Sequence, residues 1–290
     1  MLACAATANN VLSFPFVKNK TSTLLLIATL LLSSCNTYRY TYAPEPVNNP
    51  VFTGKGQSNI AANFLTNKPF FPSPNHYANG LNVQAAYAIT NHIAATYSYT
   101  YKTEKDNNGT YDGRSYFDST NTLYKRYGTE LAVGGFWFLG DKKDCLFSVY
   151  GGYGFGSFNI VDKVTSNSLS AIRVFYAKTH KFFLQPSFCF REKYFNVSLV
   201  SKMSLLQYGS IRTDYLSGEL EYYKLDKLQK ANAFVFEPSL NVQIKLPNVE
   251  WLSLNGGGGL SLNNARESHR WSYVYAGIGI DPFRLIKGKK

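Results

Sequence analysis

The chain has 290 residues and a formal net charge of +12, and only 17% of its residues are charged. It contains no run of about 18 apolar residues, so it predicts no membrane-spanning helix. Its Lys and Arg residues are scattered, which predicts no nucleic-acid partner. Four Cys residues are too few for a disulfide framework, whereas 22 Tyr and 21 Phe residues favour β-strands.

A candidate export signal lies near the start of the chain. Lys18 and Lys20 precede the apolar run TLLLIATLLL, which ends at Leu32 and leads into Leu32-Ser33-Ser34-Cys35. This order is typical of a signal peptide. The last four residues resemble the lipobox of bacterial lipoproteins, which implies removal of residues 1–34 and acylation of Cys35. An ordinary signal peptide with an unrelated cysteine is the alternative, and no cofactor beyond the acyl lipid is expected.

Residues 35–56 are predicted to be a periplasmic linker. After Cys35 the chain reads NTYRYTYAPEPVNNPVFTGKG, and its Pro, Asn and Gly content argues against a packed element. We expect the linker to join the lipid anchor to the first strand.

Alternation of apolar and polar residues predicts a β-barrel domain at 57–283, followed by a basic tail at 284–290. In the stretch LNVQAAYAITNHIAATYSYTYK, Leu81, Val83 and Tyr87 share one face before a break at Asn91. A period of two is typical of strands with one apolar face. The predicted strands are 57–66, 80–90, 92–102, 124–139, 145–158, 170–190, 194–208, 231–245, 251–263 and 271–281.

Short and long connections alternate between these strands. The long ones are 67–79, 103–123, 159–169, 209–230 and 264–270. The pattern resembles the outer-membrane β-barrels of Gram-negative bacteria, which have short periplasmic turns and longer extracellular loops. The resemblance implies an all-β, antiparallel, transmembrane up-and-down β-barrel of about ten strands, with roughly eight to twelve as the range. An even number of strands places the N-terminus and the short turns together on the periplasmic side.

The distribution of charge indicates which face of the strands meets lipid. Of 39 positions on the polar face of predicted strands two to nine, only Arg126, Glu130, Lys202 and Glu237 are charged. A soluble surface carries about 25–35% charged residues. We therefore expect the polar face to line a lumen and the apolar face to contact outer-membrane lipid. A soluble lipocalin-like lipoprotein carrying an apolar ligand is the alternative.

The four lumen charges are predicted to form a cluster. Lys202 and Glu237 lie at similar heights on neighbouring predicted strands, so we hypothesise that they form an ion pair. Isolated charges there would be costly unless they are paired or hydrated. Such a cluster either plugs the lumen or forms a constriction that selects ions.

No metal or catalytic site is predicted. His76 and His269 lie in the first and last long connections, but no Ser or carboxylate has motif spacing to them. GGYGFG at 151–156 and GGGG at 256–259 lack the residues of a phosphate loop and are predicted to serve structure. Cys145 and Cys189 fall on opposite strand faces, so we expect two free thiols.

The sequence favours a non-enzymatic outer-membrane β-barrel lipoprotein with a structural or surface-binding role. The Tyr-rich loops at 103–123 and 209–230 are candidate sites for an extracellular protein or glycan. A narrow channel for ions or small solutes is an alternative, because ten strands give a barrel of intermediate width. An outer-membrane hydrolase that uses His76, His180 and His269 is a further alternative.

Overall fold

The structure is a computed structural model that describes residues 39–66, 76–106, 119–140, 142–166, 169–228, 232–247, 249–263 and 269–287. The predicted signal peptide and its candidate lipidation residue Cys35 lie outside this part of the chain, as do residues 288–290 of the predicted basic tail.

The described chain folds as a closed antiparallel β-barrel of ten strands. β9 and β10 continue each other across Ser261 and form one barrel strand, since both pair with β8. The elements are β1 (Ser58–Thr66), β2 (His76–Ala88), β3 (Ile93–Asp106), β4 (Ser119–Leu139), β5 (Cys145–Ser166), β6 (Leu169–Arg191), β7 (Phe195–Thr213), α1 (Ser217–Tyr222), β8 (Ala233–Leu246), β9 (Val249–Leu260), β10 (Leu262–Asn263), β11 (Ser272–Ile280) and α2 (Pro282–Lys287).

Each strand pairs with its neighbours in sequence, and β1 pairs with β11 to close the barrel. Ile60 lies opposite Ile280 in this closing pair. Closure matters in a membrane because hydrocarbon offers no hydrogen-bond partner to an open strand edge. The prediction of an all-β, up-and-down transmembrane barrel is confirmed.

The outer surface of the barrel is apolar, whereas polar side chains line much of its lumen, between two buried apolar clusters. Large apolar side chains point outward from every strand between β1 and β9, and from β11; examples are Phe64, Leu81, Tyr97, Val133, Phe155, Phe182, Leu199, Leu240, Leu254 and Ile278. Buried polar side chains such as Asn82, Thr100 and Ser148 alternate with them. A carrier of an apolar ligand needs an apolar lumen, so the lipocalin-like alternative is wrong.

Among the described residues, no helix is long and apolar enough to cross a membrane.

The barrel has a turn end and a loop end. At the turn end, short turns join β2 to β3, β4 to β5, β6 to β7 and β8 to β9. The opposite end, where the remaining connections lie, is called the loop end here. Strands β4 to β7 are much longer than the roughly 9–11 residues that cross a membrane, so they project beyond it at the loop end.

The predicted long loop at 159–169 is wrong. β5 continues to Ser166 and β6 begins at Leu169, because the residues past Phe158 keep the alternation of a strand. Phe158, Ile160 and Asp162 all point inward and are buried. A projecting hairpin therefore replaces the loop.

The connection after β7 folds over the loop end of the barrel. Tyr215, Tyr223 and Leu225 are buried there, although the sequence predicted an exposed Tyr-rich loop. The carboxylate of Glu219 accepts a hydrogen bond from the backbone N–H of Leu216 at 2.7 Å and caps the start of α1. The middle of the other Tyr-rich loop, 107–118, lies outside the described residues.

The largest departure from the sequence prediction concerns residues 39–55, named the internal segment here. They lie inside the barrel, with Arg39, Tyr42, Val47 and Phe52 buried. The predicted linker is therefore wrong for this stretch, because a chain without regular secondary structure still packs where a polar lumen supplies hydrogen-bond partners. Arg39 lies at the loop end, so the expected position of this part of the chain beside the short turns is also wrong.

The glycine-rich stretches serve strand packing. A Cβ at Gly152 would lie 2.5 Å from the ring of Phe183, and one at Gly257 would lie 2.4 Å from the carbonyl oxygen of Leu240. Both distances are too short for a side chain. The structural interpretation of these glycines is confirmed.

Cys145 and Cys189 are free thiols. Cys145 lies opposite Phe190, and Cys189 opposite Leu146, so the two side chains leave opposite faces of the sheet. This confirms the prediction.

A charge placed on the outer face tests the contact with lipid. Val133 lies midway along the apolar band of β4, so Val133→Lys should lower the free energy of unfolding from lipid by about 2–4 kcal/mol, because a cation is costly at the bilayer midplane. Leu123→Lys, on the same face of β4 but beside Lys125 near the loop end, should cost about 0–1 kcal/mol. Urea titration in lipid vesicles measures both, and equal effects would contradict a lipid-facing surface.

Candidate functional site

Charged side chains from the barrel wall and the internal segment meet in the lumen. The central charge cluster consists of Tyr42 and Glu45 from the internal segment with Glu130, Lys181, Lys202 and Glu237 from the wall. Lys202 Nζ lies 2.6 Å from each carboxylate oxygen of Glu130. Lys181 pairs with the same carboxylate, so the carboxylate of Glu130 forms ion pairs with two ammonium groups.

The internal segment completes this cluster. The hydroxyl of Tyr42 donates to Oε1 of Glu237 at 3.0 Å, and Glu45 lies 3.8 Å from Lys181 Nζ. Both wall carboxylates are almost fully buried. Because buried charges are costly without partners, the cluster favours the internal segment inside the barrel over a hollow lumen.

The hypothesised pair of Lys202 and Glu237 is only partly realised. The two residues lie opposite each other in the pairing of β7 with β8, as their heights indicated. However, Lys202 reaches across the lumen to Glu130, while Glu237 accepts the hydrogen bond of Tyr42. Contacts across the lumen therefore replace the pair that the strand register alone suggested.

Arg126 belongs to a different group, the mouth cluster, nearer the loop end. Its members are Arg39, Glu104, Asp106, Arg126, Asp162 and Arg270. Arg126 lies 3.1 Å from Glu104, and it donates to the carbonyl oxygen of Tyr40 in the internal segment. Arg270 contacts Glu104 at 2.8 Å and Asp106 at 2.7 Å.

Arg39 fixes the loop-end part of the internal segment. Its Nη2 lies 2.6 Å from Asp162, whose carboxylate also accepts hydrogen bonds from Thr122 at 3.0 Å and Tyr215 at 3.1 Å. The guanidinium stacks over the ring of Tyr223, 4.0 Å from its centroid. The segment is therefore held both by the barrel wall and by the connection that covers the mouth.

Electrostatics agree with this geometry. Burial alone lowers the pKa of Arg39, but the carboxylate of Asp162 more than offsets it, so the pKa lies above its ordinary value. Burial, and next the charge of Asp162, raise the pKa of Tyr215 above its usual range. Arg39 is thus cationic and Tyr215 neutral under physiological conditions.

Nearer the turn end, hydrogen bonds and apolar contacts, rather than ion pairs, join the internal segment to the wall. Gln185 donates to the carbonyl oxygen of Asn48 at 2.9 Å, and Ser187 donates to the side chain of Asn49 at 2.8 Å. Phe52 then packs in an apolar cluster with Phe136. The internal segment has wall partners along its whole length.

Little space is left around the internal segment. Two cavities that it lines, one beside Tyr42 and Glu45 and one beside Val47 and Asn48, each measure about 50 Å³. A water molecule occupies about 30 Å³ of liquid. Such spaces hold a few waters but no solute of metabolite size.

Sequence reasoning missed part of both clusters. Lys181 lies within the predicted strand 170–190 and has the same parity as the inward residues from Phe183 to Cys189, so the alternation of that strand already places it in the lumen. Asp162 fell in the wrongly predicted loop. Tyr42 and Glu45 lay in the predicted linker, whose Pro, Asn and Gly content argued against a packed element.

The histidines have separate positions. His269 is buried, and its Nε2 lies 2.9 Å from the carbonyl oxygen of Ser261. His180 faces outward, with Nδ1 2.5 Å from the hydroxyl of Tyr153. His76 begins β2, and its side chain lies outside the described atoms. The hydrolase hypothesis stays a prediction, and the burial of His269 does not favour it.

In the described ranges, no group of three or more His, Cys, Asp or Glu side chains is placed to hold a metal ion.

These features define a transmembrane β-barrel whose lumen is filled by a segment of its own chain. No protein-family model matches the chain, and no curated protein matches it.

Three solved structures show a distant likeness to the chain. The outer-membrane protease OmpT from Escherichia coli is 8% identical, with a TM-score of 0.40, over 79% of this chain and 94% of OmpT. The transport unit of the autotransporter AIDA-I from Escherichia coli is 11% identical, with a TM-score of 0.34, over 90% of this chain and 96% of the transport unit. A bacterial polysaccharide outer-membrane secretin is 8% identical, with a TM-score of 0.24, over 80% of this chain and 99% of the secretin chain.

A double-mutant cycle tests the central charge cluster. Lys202→Met should destabilise the barrel by about 3 kcal/mol, because it removes a partner from a buried carboxylate. The loss should shrink when Glu130→Gln is also present, with a coupling of about 0.5–3 kcal/mol. Urea unfolding in detergent measures the free energy of unfolding of each variant. As a control, the exposed Lys142→Met should have a free energy of unfolding within about 0.5 kcal/mol of the parent protein. Strict additivity of the two substitutions would contradict the pair.

Proposed function

We propose that the protein is a non-enzymatic β-barrel lipoprotein of the Gram-negative outer membrane. Cys35 carries the acyl lipid, and the barrel is a structural component of the envelope that exposes its loop end to the cell surface. The short turns face the periplasm, as is usual for such barrels.

One observation carries this proposal: the internal segment fills the lumen from the loop end to the turn end. Its charges are paired with the wall in the central charge cluster and the mouth cluster. The cavities beside it are too small for a solute. This arrangement supports a closed scaffold and disfavours the alternative of a narrow channel for ions or small solutes.

The same contacts disfavour catalysis inside the barrel. A general acid or base must reach a substrate within hydrogen-bond distance. Glu130, Lys202 and Glu237 are buried and engaged with one another or with the internal segment. These engagements support a non-enzymatic role.

The surface-binding role rests on the loop end. Leu216 and Trp271 expose large apolar side chains there, each about 59% accessible. Exposed apolar side chains on loops are candidate contacts for a partner. An extracellular protein or glycan is the proposed partner class, and outer-membrane lipid is the partner of the apolar outer face.

Conductance in planar bilayers tests the closed lumen. The purified full-length protein should show no single-channel steps, because the internal segment occupies the path. Removal of residues 40–53 should produce steps, since it empties the lumen while keeping all ten strands. Removal of residues 109–116 from the connection between β3 and β4 should leave the bilayer silent.

Discrete, reproducible steps from the full-length protein would overturn the proposed closed scaffold in favour of the channel. This result does not depend on the folding of either deletion variant.

A further inference from the structure

The internal segment has a defined direction. At the loop end, Arg39 binds Asp162 near the tip of β5, and Tyr42 forms a parallel β-bridge with His269 in the connection before β11. At the turn end, the backbone N–H of Gly56 donates to the carbonyl oxygen of Ala88 at 2.8 Å. The chain therefore enters the lumen at the loop end and leaves it at the turn end, where β1 begins.

This direction places the two ends of the described chain on opposite sides of the barrel. β11 finishes at the turn end with Ile280, whereas Arg39 lies at the loop end. Residues 39–55 span up to roughly 55 Å when extended, which exceeds the hydrocarbon thickness of about 30 Å. The internal segment thus adds an eleventh crossing to the ten strands and reverses the side on which the preceding chain lies.

The candidate lipidation residue is close to this entry point in sequence. Arg39 follows Cys35 by four positions, and four Cα–Cα steps reach at most about 14 Å. The hydrocarbon core is about 30 Å thick, so this length is too short to return to the turn end. The lumen is also occupied by the internal segment itself, which closes the only route inside the barrel.

The entry point is held firmly. Arg39 is only 3% exposed and contacts the wall through Asp162 and the covering connection through Tyr223. Arg126 and Lys102 bind the next backbone carbonyls, those of Tyr40 and Pro44. Withdrawal of the segment toward the turn end would separate Arg39 from Asp162 and would remove the carbonyl partners of Arg126 and Lys102. Loss of the cation beside the buried carboxylate of Asp162 is costly.

We infer that the acyl anchor on Cys35 inserts into the outer leaflet of the membrane, at the cell surface, and that the chain passes from there through its own barrel to the periplasmic side. This inference rests on the proposed function for the lipid and for the membrane. It replaces the expectation that the N-terminus lies with the short turns on the periplasmic side.

Cysteine accessibility on intact cells tests the inference. In a Cys145→Ser, Cys189→Ser background, single cysteines are introduced as Thr37→Cys, as Gly113→Cys in a loop-end connection, and as Lys142→Cys in a turn. A membrane-impermeant maleimide should label Thr37→Cys and Gly113→Cys in intact cells to the same extent. Lys142→Cys should be labelled only after the outer membrane is permeabilised. Labelling of Thr37→Cys only after permeabilisation would overturn the inference, provided the unboiled protein still migrates as a folded barrel.

A second measurement separates the inference from the proposed function. Metabolic labelling with an alkyne fatty acid should mark the wild-type protein and Cys189→Ser but not Cys35→Ser. If the lipid label is present and Thr37→Cys is periplasmic, the inference fails and the lipoprotein assignment stands. If the lipid label is absent from the wild type, the lipoprotein assignment fails and the anchor with it.

Discussion

The structure depends on one constraint: inside hydrocarbon, every backbone amide and every polar side chain must find its partner within the protein. The backbone meets this requirement through a ladder that closes where β1 pairs with β11. The apolar side chains then take the outer face and the polar ones take the lumen. The polar lumen creates a second demand for partners, and the internal segment meets it with Arg39, Tyr42, Glu45 and the backbone carbonyls between them.

Barrel width explains why a separate segment is needed. About eight strands enclose a space that side chains alone fill, whereas ten leave room for one extended chain. Because the closed ladder has no edge, the internal segment cannot enter the lumen sideways between strands once β1 has paired with β11. Two wall carboxylates depend on the segment, since Glu237 and Asp162 acquire their full set of partners only when Tyr42 and Arg39 are in place.

Much of the barrel followed from the sequence, because lipid imposes a strict period of two that Leu81, Val83 and Tyr87 display. The strand number, the lipid-facing surface and the free thiols were all predictable for that reason. The presence of the internal segment in the lumen was not predictable from the sequence pattern. Proline and asparagine between Ala43 and Phe52 correctly indicated a chain without regular structure, but packing inside a polar lumen requires hydrogen-bond partners rather than secondary structure. The pairing of Lys202 with Glu130 was also missed, because the register of β7 and β8 contains no information about β4, which lies across the lumen.

The measurement that tests the account most directly is a cross-link between the internal segment and the barrel wall. Asn49 and Ser187 are hydrogen-bonded at 2.8 Å, so Asn49→Cys with Ser187→Cys, in a background without Cys145 and Cys189, should be joined by a short thiol cross-linker. Peptide mass spectrometry of the native membrane fraction should find the bridged pair, and should not find one between Asn49→Cys and Ser201→Cys, which points outward from β7. Free, reagent-accessible thiols at 49 and 187 with no bridged peptide would contradict a barrel filled by its own chain.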